Sequence, residues 1–268
     1  MFLLVLIFFS VSAVQLNAPV PYDPVWLASV EQFSNLIAAN DTRFFWPFVY
    51  DTDVEFRLFT RRNPDDYQIL HMNDSNSLWN SYFNINNKVK VLTHGWLNHG
   101  FSPMPESIKE AYLNVSDLNI VVLDWGVAAN VNYIVASYNV AQVGRHLTHF
   151  LNFLIGEGVS MDDVHLIGHS LGAHVVGIAG AFVRKGPIDT ITGFCAHNRA
   201  HMFFSESITS DVPFTAVRCE SYDEIYYYGY CNGTGDSLAM GGFDIHYGKE
   251  GIYYLKTNAE KPYALRDP

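Results

Sequence analysis

Residues 164–183 constrain this chain more than any other stretch. Val164 to Gly168 is a short apolar run with the character of a strand. From Leu171 the residues turn small and apolar at helical spacing. Between them lies Gly168-His169-Ser170-Leu171-Gly172, a G-x-S-x-G pentapeptide. Such a pentapeptide alone arises by chance as a turn. A preceding apolar strand and a following Gly/Ala-rich helix turn it into a nucleophile elbow, with Ser170 on a sharp strand-to-helix bend. The glycines are needed because a side chain at 168 or 172 would collide with the neighbouring strand or helix. The bend lifts the Ser170 hydroxyl to the top of a parallel sheet and aims the new helix's N-terminal N–H groups at the same point.

The rest of the chain supplies that sheet. Asp53–Thr60 alternates Val54, Phe56 and Leu58 with polar residues, as in an outer strand. Arg61–Pro64 reads as its turn and Tyr67–His71 as a second strand. A third, Lys88–Thr93, ends in His94-Gly95-Trp96, and a helix is expected over Ser107–Leu113. Leu118–Asp124 is apolar on both faces and therefore a central parallel strand. A long helix over 132–155 gathers Val140, Val143, Leu147, Phe150, Leu151 and Leu154 on one face. Ile188–Gly193 follows Ser170's helix as another parallel strand. The alternation means an α/β fold with a wound, mostly parallel sheet and helices on both faces. Ligands bind such sheets beyond the carboxyl ends of the strands, where Ser170 sits. After Gly193 the alternation stops. Asp211–Val217 and Gly251–Thr257 read as extended pieces at the sheet edge or a closing hairpin.

A serine hydroxyl needs a base, and eleven histidines are available. His169 and His174 have directions set by the Ser170 turn. His146 and His149 suggest a metal pair but have no third ligand, so no metal and no cofactor is expected. His94 orders its own loop. His197 stands four residues past the strand at 188–193. Neighbouring strands lie ~4.8 Å apart and four extended residues reach roughly 13 Å, so His197 can fold back over Ser170. Position alone leaves open a loop histidine without a role. An oxyanion needs two N–H donors. Leu171 offers one from the turn, and Trp96 the other from the loop after the third strand, whose plainer reading is a Gly-rich connection.

Residues 1–13 read as a secretory signal peptide, with cleavage after Ala13 or as late as residue 18. Residues 14–268 then form a single domain, opening on an aromatic arm with a short helix at Pro24–Ala39. Sequons at Asn40, Asn73, Asn114 and Asn232 agree with secretion. No other stretch is apolar enough for a transmembrane span. A net charge of −11 argues against nucleic acid and against anionic membrane surfaces, though not against a neutral lipid interface. Of three cysteines, Cys219 and Cys231 bracket a Tyr-rich loop, and their disulfide would contribute roughly 3 kcal/mol. Cys195 is left over, as a free thiol or the mark of a missing segment.

His94-Gly-Trp-Leu-Asn, Val122-Leu-Asp-Trp-Gly126, His165–His174 and Cys195-Ala-His-Asn-Arg-Ala200 together resemble the animal pancreatic-type lipase family. The likeness is strongest to its short insect members, which resemble phospholipases A1. The resemblance implies an α/β-hydrolase fold, Ser170 as nucleophile and His197 as base. It also exposes a departure. The family continues the strand at 188–193 into Gly-Leu-Asp-Pro-Ala-Gly-Pro, whose aspartate completes the triad, whereas here Gly193 meets Phe194-Cys195. The triad aspartate, the next strands, the lid and the cysteine partner of Cys195 are absent, and no metal is carried over. Asp189 lies at the wrong end of its strand, Asp124 on a strand not adjoining Ser170's. Glu206, Asp211 and Asp223 have no position that sequence can assign.

Loss of a triad acid alone costs on the order of 10⁴-fold, about 5.5 kcal/mol of transition-state stabilisation. The expectation is therefore a secreted lipase-type carboxylic ester hydrolase acting on acylglycerols or phospholipids at a lipid–water interface, impaired as written. Its alternative is a lipid-binding or yolk-type storage protein on the same scaffold. Missing strands would also leave a sheet edge open to self-association.

Overall fold

The central sheet has six strands, β1 (Glu55–Phe59), β2 (Gln68–Leu70), β3 (Val89–Thr93), β4 (Asn119–Asp124), β5 (Val164–His169) and β6 (Thr190–Phe194), in the order β2-β1-β4-β3-β5-β6. This computed structural model describes residues 49–184, 188, 190–194, 199–220, 224, 231, 237–243 and 251–265. All of them belong to one compact unit. The signal segment and the helix expected over 24–39 lie outside the described residues.

β3 to β6 form the parallel half expected from their apolar runs, with β3 between β4 and β5 and β5 beside β6. Two expectations need correcting. β1 is not outermost, because β2 covers its free side in an antiparallel pair. β4 is parallel to β3 but antiparallel to β1. All six of its residues are buried, because helices cover both faces whatever the strand direction.

Short helices α1 (Ser75–Trp79) and α3 (Gly126–Ala129) follow β2 and β4. One face carries α4 (Tyr133–Gly156) and α5 (Leu171–Phe182), packed on Val91, Val121, Leu123 and Leu166. The six apolar residues expected on one face of α4 are all buried, and Phe150 stacks on Phe56 of β1 with centroids 3.9 Å apart. Asn132 caps α4 by accepting the Val135 N–H. α4 and α5 approach closely at Gly144, where a Cβ would lie 2.7 Å from Ile178 Cγ2.

The other face packs Leu92, Ile120, Val122 and Ile167 against α2 (Pro103–Val115) and α6 (Ala200–Thr209). α2 starts a turn earlier than expected. Pro103 at its first position has a ring-fixed φ suited to a helix, and it lacks only an N–H that would have had no partner within the helix. Under these helices Lys90 Nζ lies 3.3 Å from His165 Nδ1, and His165 Nε2 lies 2.8 Å from Thr192 Oγ1. Burial first, then the Lys90 charge, pushes the His165 pKa far down. The neutral imidazole accepts from the ammonium and donates to the hydroxyl, tying β3, β5 and β6 side to side.

The C-terminal part departs from expectation. β7 (Phe214–Cys219), β8 (Ser237–Met240) and β9 (Ile252–Leu255) do not extend the main sheet. They form a separate antiparallel sheet ordered β8-β7-β9. Phe214, Ala216, Tyr253 and Leu255 are buried in the cluster that holds Phe203 and Phe204 of α6, so this small sheet is anchored through the helix. α6 itself is an addition to the expected elements, although Ala200, Phe203, Phe204 and Ile208 follow helical spacing. Cys219 and Cys231 are joined, with Cα atoms 5.2 Å apart.

Candidate active site

Ser170 stands on a sharp strand-to-helix bend. Ser170 sits at φ 56° and ψ −123° between β5 and α5, a conformation costly for a residue with a side chain. The space around it explains its flanking glycines. A Cβ at Gly168 would lie 2.5 Å from the carbonyl carbon of Gly172, and one at Gly172 would lie 2.7 Å from Thr93 O and closer still to His94 O. β5, the start of α5 and the end of β3 are therefore in backbone contact. The turn is locked by two further bonds: Ala173 N–H donates to Ser170 O (2.9 Å), and Ser170 N–H donates to Phe194 O (2.8 Å).

The loop after β3 presses on Ser170 from the other side. A Cβ at Gly95 would lie 2.7 Å from Ser170 Cβ and 3.3 Å from its Oγ. This loop is clamped. Trp96 donates from Nε1 to Val131 O (2.8 Å) and sets its ring edge-on to Tyr133, while Leu97 N–H donates to Ala129 O (3.3 Å). His94 Nε2 lies 3.0 Å from Asp124 Oδ1, and Asp124 Oδ2 lies 2.7 Å from Arg57 Nη1. Trp125 stacks on the His94 ring and donates from Nε1 to His94 O (3.0 Å). Burial alone would raise the Asp124 pKa. The His94 hydrogen bond and charge, with the N–H groups of Gly100 and Gly126, reverse this and hold the carboxyl far below the usual range. His94 thus orders its loop, as expected. Asp124 belongs to that bracing network and is separated from β5 by β3.

His197 lies outside the described residues, as do Cys195, Asp189 and Asp223. Its approach is described on both sides. β6 pairs Gly193 with Gly168 and Phe194 with His169, so the strand ends beside the serine turn, three residues before His197. Arg199 resumes the chain, donating to Ala259 O (2.6 Å) at the head of α6. Of the other acids, Glu206 accepts the N–H groups of Tyr263 (2.6 Å) and Ala264 (3.0 Å) on one oxygen, and Asp211 is exposed. His146 has its ring nitrogens against Val49 O (3.1 Å) and Asp51 Oδ1 (3.2 Å).

One residue near the serine is absent from the sequence-based candidates. His201 on α6 sets its ring 5.9 Å from that of His169, the residue before the serine, nearly perpendicular to it. Its buried Nδ1 has no hydrogen-bond partner among the described residues. Burial first, then the His169 charge, lowers its pKa. The helical period of 200, 203, 204 and 208 would have placed it here.

Residues 32–194 match the sequence model of the Lipase family. The chain belongs to that family, and its fold is the α/β-hydrolase fold. It is 35% identical over 144 residues to pancreatic lipase-related protein 2 of Rattus norvegicus, covering 53% of this chain and 31% of that protein. The pancreatic triacylglycerol lipase of Homo sapiens is also 35% identical over 144 residues, 30% of its length, and that of Sus scrofa 34%, 32% of its length. The aligned part thus spans about a third of these relatives. The family match ends at Phe194, the residue at which the expected Gly-Leu-Asp continuation is replaced.

Proposed function

We propose that this protein is a secreted carboxylic ester hydrolase of the lipase type, with acylglycerols or phospholipids as substrates. The observation that carries the reading is Ser170 itself: a strained residue at φ 56° on a bend where Gly168 and Gly172 have no room for a Cβ. In the proposed reaction His197 takes the Ser170 proton as Oγ attacks the ester carbonyl. The carbonyl oxygen becomes an oxyanion received by the N–H groups of Trp96 and Leu171. The imidazolium then returns the proton to the departing alcohol and leaves an acyl-serine. Water, deprotonated by the same imidazole, releases the fatty acid and restores the hydroxyl.

The surroundings support a lipid substrate. Leu97, Val127, Tyr133 and Ile134 are each more than half exposed, on the loop and helix starts tied together beside Ser170 by the Leu97–Ala129 and Trp96–Val131 bonds. Secretion is supported by the disulfide and by the exposure of the sequon residues Asn73 and Asn114. Among the described residues no helix is long and apolar enough to cross a membrane. The triad acid remains unassigned, since Asp124 and Glu206 are engaged elsewhere, and turnover is expected to be on the order of 10⁴-fold below an intact triad. β6 ends the sheet with no partner on its outer side among the described residues, which suits self-association there.

A soluble fluorophosphonate probe tests the reading without needing a lipid surface. The expected result is slow, stoichiometric labelling of Ser170, absent from S170A and lost in H197A. An unlabelled Ser170 in a folded chain would sink the hydrolase and favour the lipid-binding alternative.

A further inference from the structure

The far end of α5 borders a hollow of about 320 Å³ lined by Arg145, Thr148, His149, Asn152, Phe182 and Arg184. α5 has twelve residues from the Ser170 turn to Phe182, so the hollow lies roughly 18 Å along the helix from the serine. The ester chemistry proposed above does not use it.

Its polar groups point to one kind of ligand. Arg145 and His149 are one turn apart on α4, and Arg184 follows α5. Neither guanidinium forms an ion pair among the described residues. Asn152 has its orientation decided by a neighbour: its Oδ1 accepts the Arg184 N–H (3.1 Å), which leaves both Nδ2 hydrogens as donors. Thr148 spends its hydroxyl proton inward on Gly144 O (2.9 Å). Among the described residues no carboxylate lines the hollow, in a chain whose net charge is −11. Phe182, 65% exposed, forms an uncovered apolar wall.

We propose that this hollow binds a phosphoryl group carrying an apolar substituent. Two guanidinium forks, the Asn152 amide and the His149 ring offer more donors than the two oxygens of a carboxylate can satisfy, whereas a phosphate monoester presents three charged oxygens. Phe182 lies where the substituent would pack. A soluble phosphate monoester and the headgroup of phosphatidic acid share this chemistry. The distance from Ser170 makes the site an anchoring or effector site, separate from the ester subsite.

The test uses the full chain with calorimetric titration of phenyl phosphate and of inorganic phosphate. It adds flotation with phosphatidylcholine vesicles with and without phosphatidic acid. Saturable phenyl phosphate binding is expected, preferred over inorganic phosphate, and weakened about tenfold or more by R145A or R184A. F182S should erase the preference while leaving the melting temperature unchanged. S170A should bind like the native chain, so that failure of the hydrolase reading leaves this result standing. Additional capture by phosphatidic acid vesicles identifies a lipid source, and phenyl phosphate binding without it a soluble one; either supports the site. No saturable binding, or binding indifferent to R145A and R184A, overturns it. A preference that survives F182S removes Phe182 from the assigned role.

Discussion

The two stretches proposed to supply the chemistry are held by different forces. Up to Phe194, the carboxyl ends of β3, β4 and β5 are cross-braced by buried polar groups: Arg57 on Asp124, Asp124 on His94, and the His94 backbone beneath Gly172. Beyond Phe194, α6 and the small sheet are held by apolar packing of Phe203, Phe204 and Phe214, with one disulfide. Buried charge demands fixed geometry, because a misplaced partner leaves a charge unpaired. Apolar packing accepts more arrangements of similar energy. The difference teaches that Ser170 and its proposed N–H donors are set independently of the chain beyond β6, while the proposed base hangs on the more permissive half.

The sharpest way to break this comparison is Asp124→Asn. It takes the carboxylate from between His94 Nε2 and Arg57 Nη1 and leaves the guanidinium only Glu55 (2.6 Å) as a counter-charge, and the expected loss is about 3 kcal/mol of stability, read by urea unfolding. The pH dependence gives a second reading. The folded pKa of Asp124 lies below that of the unfolded chain, so its contribution is present above about pH 4 and fades as pH falls toward the folded value. The acid limb of a stability profile should flatten in the variant. An unchanged limb would mean that the network carries no charge. Gly172→Ala attacks the same half through space. Alanine favours a helix, yet here its Cβ would meet the carbonyl oxygens of Thr93 and His94, both backbone. The expected cost is about 3 kcal/mol, together with loss of fluorophosphonate labelling. A stable, labelled variant would show that β3 and α5 are not in contact.

The second half should respond to a different lever. Replacing Cys219 and Cys231 together by serine opens a loop with a sequence separation of 12, with an expected loss of roughly 3 kcal/mol from that half. Local protection of β7 and β9 in hydrogen exchange should fall while β3 and β5 keep theirs. Equal loss in all four strands would mean that the two halves unfold as one.

Much of the first half is legible in the sequence because each element carries its own period. Phe56 and Leu58 alternate; Val140, Val143, Leu147 and Leu154 recur at helical spacing; Gly168 and Gly172 bracket Ser170. Strand direction is harder. The apolar run of β4 is the same whether its neighbour is parallel β3 or antiparallel β1, because burial on both faces erases the pattern that would tell them apart. The second half is largely illegible. Asp211–Val217 and Gly251–Thr257 read correctly as extended, but nothing in either says which strand it pairs with, and pairing with β8 and each other is decided by contacts to α6. His201 escapes a reading of the sequence for a related reason: its place beside His169 depends on a helix that its neighbours announce only jointly. The hollow at Arg145 and Arg184 joins residues from separate stretches, and the packing of α4 on α5, closest at Gly144, brings them together.

The smallest effect sharpens the contrast within a single helix. Gly177 is five residues beyond Gly172 on α5, and a Cβ there meets nothing within 4 Å. Gly177→Ala therefore gains helix propensity without a clash, and the expected change is a stabilisation of about 0.5–1 kcal/mol with labelling of Ser170 unaltered. The same substitution is thus destabilising where α5 leaves the serine turn and stabilising in its middle. Destabilisation at both sites would put the cost in the flexibility of α5 as a whole. Opposite signs would place it in the contact with β3, where the strained serine is held.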